Sequence, residues 1–438
     1  MTKTGLPLKP LPRLQRESTR AAATYGNNGA LVIHPTAKIF LILGTLLALQ
    51  GLWSLLDSRR FLRLVRRSLE RPPGGYQPPA TVIIPCKGLD SGFDLNVSRF
   101  LAQRYTAYQL ILVVASEEDL AYRHLAERLA RPSEAKPGAL KTALVVAGHS
   151  ETRGEKVNNL LRGVRAADPG TEVLVFADAD ATPGEDWLRS LVEPLADPRV
   201  TVSTGFRWYL PGETFASQLR AAWDTSIATL LGEHRRNFAW GGSMAIRAAD
   251  FRRLQVAERY WASTISDDFA LTRAVREAHG WIRFEPRCLL KSREDSSLRE
   301  FLRWANRQII ITRVYSAHLW WVGLGFYLLY GATFLWGLVL TALPSSSTAE
   351  RLAAAGILLA LLALGMGKGY IRTLVARETF PEERLTLKRY GSRYWQLAPL
   401  VPWVMLPNFL IAAFARRLEW RGIAYELRSR DEVRVLKD

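Results

Sequence analysis

The sequence predicts an α/β domain, a mostly parallel sheet covered by helices, joined to transmembrane or interfacial helices. Three observations carry this. Strand-like and helix-like segments alternate four times between residues 80 and 177. Apolar residues make up 48% of the 438 residues but are segregated, with uncharged runs at 39–56, 319–343, 352–367 and 396–415. The turns after the strands collect carboxylates and a lysine, most conspicuously Asp178 and Asp180 at the end of an apolar run.

Residues 1–37, with four prolines and scattered charge, read as a flexible N-terminal arm. Residues 38–57 form a transmembrane anchor, retained because it ends in Ser-Leu-Leu-Asp-Ser-Arg-Arg rather than at a small-residue cleavage site. Arg59, Arg60, Arg63, Arg66, Arg67 and Arg71 follow it. By the positive-inside rule they put the soluble domain in the cytoplasm, on the inner membrane if the cell is bacterial. Arg-Pro-Pro-Gly-Gly-Tyr-Gln-Pro-Pro at 71–79 is a linker, and the α/β domain is expected over 72–315. Its strands are predicted at 80–85, 109–115, 142–147 and 173–177, with helices near 93–103, 119–130 and 156–166. Residues 316–415 carry transmembrane or re-entrant helices, and 416–438 a basic tail. A full crossing by 396–415 would export the tail's arginines; Pro399, Pro402 and Pro407 favour a broken hairpin instead and an internal tail.

The net charge of +18 brings nucleic acid to mind, yet no zinc spacing, RNA-binding aromatic signature or basic zipper accompanies it. The basic residues crowd next to the apolar runs, so the lipid bilayer is the expected partner, with no nucleic acid and no protein partner predicted. Cys86 and Cys288 lie far apart and imply neither a disulfide framework nor a zinc site.

Ligands of parallel sheets sit beyond the carboxyl ends of the strands. Those ends carry Pro85-Cys-Lys87-Gly, then Glu117-Glu118-Asp119, then Gly154-Glu155-Lys156-Val-Asn158-Asn159, then Asp178-Ala-Asp180. Two acids at i and i+2 past a strand can face one divalent cation, Mg²⁺ or Mn²⁺ by their hard oxygens, and can equally cap the next helix. Four polar clusters on one edge point to a nucleotide-phosphate site. Thr204-Gly-Phe-Arg-Trp-Tyr reads as pocket wall or core. Gly241 and Gly242 precede a strand-like run, as where backbone approaches a ligand. Ser266-Asp267-Asp268 opens a helix: one acid can cap it while the other faces the cleft, and adjacent carboxylates push one pKa up, which suits a general base. Arg303 and Arg307, one helical turn apart, suit either a diphosphate clamp or anchoring beside the membrane with Trp304.

In that order, Pro85-Cys-Lys-Gly-Leu-Asp90, Glu118-Asp119, Lys156-Val-Asn158-Asn159, Asp178-Ala-Asp180, Gly241-Gly-Ser-Met244, Asp267-Asp268 and Arg303-Trp304 resemble the family 2 and family 21 membrane glycosyltransferases, the ceramide glucosyltransferase type above all. Glu419-Trp-Arg-Gly422 through Tyr425-Glu-Leu-Arg428 is similar to that family's ending, so the resemblance runs over about 40–430. It implies a GT-A, Rossmann-like domain and inverting transfer of a sugar, with glucose expected, from a UDP-sugar to a membrane lipid acceptor. Asp119 then matches the uridine-contacting acid, Asp178 and Asp180 the metal and diphosphate motif, Asp268 the catalytic base, and Arg303-Trp304 the end of a (Q/R)xxRW element. Pro85, Lys87, Lys156 and Gly242 join the donor site, with Lys156 and Arg303 holding the diphosphate. The full Asp-Ala-Asp, where eukaryotic members have Asp-Ser-Gly, favours metal dependence. Glu300 stands where the element should begin with Gln or Arg, and Arg299 is displaced from that direction by about 100° on a helix. A processive polysaccharide synthase and a non-catalytic membrane scaffold are the rivals. The acceptor could be ceramide-like, diacylglycerol or hopanoid-type.

Overall fold

A computed structural model describes residue 1, residues 35–130 and residues 140–436. The arm read at 1–37 falls almost wholly outside them. The four predicted strands form as β1 (Ala80–Pro85), β2 (Tyr108–Val114), β3 (Leu140–Val146) and β4 (Val173–Ala177). In β2 and β4 every residue is buried, as their unbroken apolar runs require of a sheet covered on both faces. β5 (Val200–Tyr209), β6 (Ser243–Arg247) and β7 (Trp281–Ser292) complete seven strands in the order β3-β2-β1-β4-β6-β5-β7. Only β6 runs against its neighbours.

That reversal positions the site. Ala177, the last residue of β4, pairs with Ser243, the first of β6, so Gly241 and Gly242 arrive beside Asp178. β5 runs parallel to β4 and brings its later half, Phe206 and Arg207, to the same edge. One face of the sheet buries Val82, Leu112 and Val175 with Trp187, and the other buries Ile83, Ile111 and Phe176 with Trp261. Each such side chain stabilises the fold by about 1.5–3 kcal/mol.

Three described helices are long and apolar enough to cross a membrane: Pro35–Leu69, Ala317–Ala342 and Thr348–Thr379. The fourth apolar run gives Val401–Phe414, whose 14 residues span about 21 Å against a hydrocarbon core of about 30 Å. The first and third run in the same direction: Gly44 packs on Ile357 and Gly51 on Leu364, small residues letting two backbones approach. Both continue out of the apolar zone. Phe61, Leu62, Leu64 and Val65 join Ile371, Val375 and Ala376 against Trp208, Phe284 and Leu289, and Arg66 pairs with Glu378 at 2.8 Å. The arginine-rich stretch after the anchor is therefore the outer face of an amphipathic extension that fixes the α/β domain to the helices.

Residues 417–436, read as part of a basic tail, fold into an antiparallel sheet of β8 (Arg417–Trp420), β9 (Ile423–Ser429) and β10 (Glu432–Leu436). It docks on the α/β domain. The Tyr425 hydroxyl accepts from the Glu155 N–H at 3.2 Å, the Glu151 carbonyl from Val435 N–H at 3.1 Å, and Ser263 Oγ from Val433 N–H at 3.2 Å. Residues 417–436 thus pack on the α/β domain.

Candidate active site

Asp178 and Asp180 stand at the end of β4, and Arg207 from β5 lies across both. Its Nη2 is 3.1 Å from Asp178 Oδ2 and 2.6 Å from Asp180 Oδ1, and its Nη1 is 3.0 Å from Asp180 Oδ2. Lys156 Nζ is 2.8 Å from the remaining oxygen, Asp178 Oδ1, and 3.2 Å from Asp267 Oδ1. Every oxygen of the acid pair therefore faces a cation. Burial works to raise the Asp180 pKa, but the charge and hydrogen bonds of Arg207, with Arg421 and Lys156 behind them, outweigh it and hold the carboxyl below its ordinary value. Burial likewise opposes the Lys156 charge, which Asp178, Asp267 and Asp268 sustain. The Arg207 guanidinium lies 5.3 Å from the Trp240 ring and 5.6 Å from that of Tyr209.

The two glycines permit this density. A Cβ on Gly242 would collide with the Trp240 ring and Asp178, and one on Gly241 with Asp267 and Lys156. Gly241 lines the cavity described below, while Gly242 sits behind it. Ser266 caps the helix Asp267–Glu277, its side chain accepting from Phe269 N–H. Asp268 Oδ1 accepts from the same N–H at 2.7 Å and from the Ser266 hydroxyl, and its Oδ2 from Gly241 N–H at 3.4 Å. Asp267 is fully buried: burial, then the nearby Asp268 and Asp178 charges, push its carboxyl up to about 7 against the pull of Lys156. Its Oδ2 is buried without a hydrogen-bond partner.

Pro85 and Lys87 line the cavity, with Lys87 Nζ 2.9 Å from Glu155. Asp119 lies one step back, its Oδ1 accepting from Gly88 N–H at 2.8 Å and Ala121 N–H at 2.9 Å, so it sets the loop after β1 and caps the helix Leu120–Ala130. In the helix Leu298–Tyr315, Glu300 has a structural duty: it forms a capping box with Ser297, each side chain accepting from the other's backbone N–H. Arg299 and Arg303 are exposed and outside the cavity lining, so the structure does not bring Arg303 together with the other residues expected at the diphosphate. The turn faces the cavity instead with Trp304, Arg307 and Gln308. Trp304 is wedged between the Arg220 guanidinium at 4.7 Å and the rings of Tyr209 and Trp223 at 5.7 and 5.4 Å.

The cavity holds about 2200 Å³. It runs unbroken from Lys87, Asp178, Asp180 and Asp268 to Leu319, Val322, Gly323 and Phe326 of the second membrane helix. Asp224, buried in its wall, is pushed by burial up to about 7. Sequence reasoning missed Asp224, Arg207 and Arg421. An arginine inside the apolar, aromatic strand Thr204–Tyr209 was the one available signal for Arg207.

The protein belongs to glycosyltransferase family 21, whose model matches residues 41–433. No curated protein sequence matches it. Among solved structures it is similar to the mannosyltransferase PcManGT from Pyrobaculum calidifontis in complex with GDP-Man and Mn²⁺, at 17% identity over 85% of this chain and 97% of that one, with a TM-score of 0.44. It is also similar to residues 1–349 of S. aureus TarS in complex with UDP-GlcNAc, at 10% identity over 82% and 99%, with a TM-score of 0.35.

The carboxylates of Asp178 and Asp180 have the donor chemistry a divalent ion takes, but Arg207 engages both. Among the described residues no group of three or more His, Cys, Asp or Glu could hold a metal ion. A metal would thus need oxygens from the substrate and release from Arg207.

Proposed function

We propose that the protein transfers a sugar, with inversion, from a UDP-sugar to the hydroxyl of a membrane lipid, with glucose as the expected sugar and a ceramide-like, diacylglycerol or hopanoid-type acceptor. The continuity of the cavity carries the reading: one space touches the acid pair, Asp268 and the apolar wall of a membrane helix, so a water-soluble donor and a lipid can meet in it. The α/β domain faces the cytoplasm, where the arginines after the anchor keep it.

The donor diphosphate lies at the edge formed by Pro85, Lys87, Lys156 and Gly241, with Asp119 ordering the loop toward the uridine. Lys156, charged and anchored by Asp178 and Asp267, supplies positive charge to the leaving group. Mn²⁺ or Mg²⁺ held by Asp178 and Asp180 would neutralise diphosphate charge when bound. Asp268 takes the proton of the acceptor hydroxyl. Its Oδ1 is occupied by Ser266 and Phe269 N–H, while Oδ2, held only by the long bond from Gly241, is the oxygen free to receive a proton. Trp304 gives the acceptor a flat wall.

Full-length protein supplied with UDP-glucose, Mn²⁺ and lipid acceptors should release UDP and yield a glycolipid by mass spectrometry. Asp268→Asn should abolish transfer and retain UDP binding; near-normal turnover in that variant removes Asp268 as the base.

A further inference from the structure

The geometry points to an anion site built by Arg421 and Arg307 in the wall of the cavity that also holds Asp178 and Asp180, which takes the diphosphate of the donor and of the departing nucleotide; the C-terminal sheet is then a working part of the active site. This inference rests on the nucleotide-sugar reading above.

Arg421 sits at the tip of the β8–β9 hairpin with φ +49°, followed by Gly422 at φ +78°. Both central residues of this two-residue turn are left-handed, the geometry that glycine and asparagine serve best, so a long cationic side chain is an unfavourable choice there on local grounds. The turn delivers its guanidinium into the cavity wall. There Nη1 is 2.7 Å from the Lys87 carbonyl oxygen and Nη2 is 2.5 Å from Asp90 Oδ2, tying it to the loop that ends β1. Arg307 lies beside it, its guanidinium 5.3 Å from the ring of Trp420, the residue before Arg421. Arg307 Nε is buried without a hydrogen-bond partner. A largely buried guanidinium retains its charge and calls for an anion. With one hydrogen on each Arg421 Nη spent on the β1 loop and the Arg307 Nε unpartnered, the two guanidiniums still offer two linked phosphates more donors than a single lysine.

The sheet is placed to hold this arrangement, since Tyr425, Val433 and Val435 hydrogen-bond to the α/β domain and Arg273 pairs with Asp431 at 2.5 Å. During transfer the anomeric C–O bond of the donor breaks, and its electron pair leaves with the β-phosphate oxygen. The acceptor oxygen bonds the anomeric carbon, and its proton passes to Asp268. The charge that gathers on the diphosphate then faces Arg421 and Arg307 as well as Lys156.

The test measures UDP and uridine binding by calorimetry on full-length protein in nanodiscs, with transfer rates at varied UDP-sugar and varied lipid. Arg421→Ala and Arg307→Ala should each weaken UDP tenfold or more, raise the donor KM and leave uridine affinity and the lipid KM within twofold. Millimolar guanidinium should restore part of kcat to Arg421→Ala. Should Arg421→Ala fail to fold, Arg421→Lys and Arg307→Gln carry the same comparison. Unchanged UDP affinity in a folded variant overturns the site, as does equal loss of UDP and uridine, which marks a structural tie between tail and loop. Wild-type protein that binds no UDP overturns the nucleotide-sugar reading itself and the site with it.

Discussion

Arg207 holds Asp180 by two hydrogen bonds, Nη2 to Oδ1 at 2.6 Å and Nη1 to Oδ2 at 3.0 Å, and reaches Asp178 with the same Nη2. The acid pair thus has a resident cation occupying oxygens that a metal would use. Arg207 and a divalent ion compete, and removing the arginine should tighten metal binding. In donor-free protein, Mn²⁺ affinity read by electron paramagnetic resonance should rise about tenfold in Arg207→Met, the equivalent of about 1.4 kcal/mol. Asp180, half-buried, loses its ion-pair partner while Asp178 keeps Lys156, so metal-free Arg207→Met should be less stable than the wild type. Equal Mn²⁺ affinity in both proteins would show that the two cations do not share these oxygens.

Asp267 sets a pH dependence with a definite sign. Its carboxyl goes from an ordinary value of 3.8 to about 7 in the folded protein, because burial outweighs Lys156 while Asp268 and Asp178 add repulsion. Between about pH 4 and 7 the folded state holds a proton that the unfolded chain has lost. This group's effect is therefore to lower stability as pH rises through that window and to leave it flat above. Asp267→Asn should remove one proton's worth of slope, at most about 1.4 kcal/mol per pH unit. Thermal unfolding in detergent at half-unit steps from pH 4.5 to 8 measures it, and parallel curves for the two proteins would assign the titration elsewhere.

Gly242 should tolerate no side chain. A Cβ there meets the Trp240 ring and Asp178 at once, so Gly242→Ala forces the acid pair to shift and should cost about 1–3 kcal/mol of stability. Because the displaced group is Asp178, transfer activity should fall further than stability alone explains. A crystal structure or activity assay showing wild-type behaviour would mean that Trp240 swings clear.

Much of this was legible in the chain. The apolar runs of β1, β2 and β4 and the acids behind them follow from local pattern, since buried parallel strands need unbroken apolar residues. Arg207 was hidden because its partners lie on another strand, brought together by the antiparallel β6, and nothing local predicts that pairing. The amphipathic extension at 58–69 was masked by its own arginines, which mark a membrane flank as readily as an outer helix face. The C-terminal sheet was hidden behind its charge: Arg421 and Arg428 read as a basic tail, although Leu418, Tyr425, Leu427 and Val433 bury themselves in alternation along its strands.

Within the helix Leu298–Tyr315, neighbouring residues of one motif should part company. Arg303 is exposed and lies outside the cavity, whereas Trp304 is held against Arg220 at 4.7 Å and lines it. Arg303→Ala should change stability by no more than about 0.5 kcal/mol, as surface substitutions do, and leave the donor KM within twofold. Trp304→Ala removes a desolvated cation–π contact worth about 2 kcal/mol, uncovers Arg220, and strips the wall proposed for the acceptor. Its lipid KM should rise by a larger factor than its donor KM, and its kcat should fall. Kinetics with lipid varied at saturating donor separate these outcomes. A large donor-side defect in Arg303→Ala would return that residue to the diphosphate and require the helix to turn by about 100° in the working enzyme.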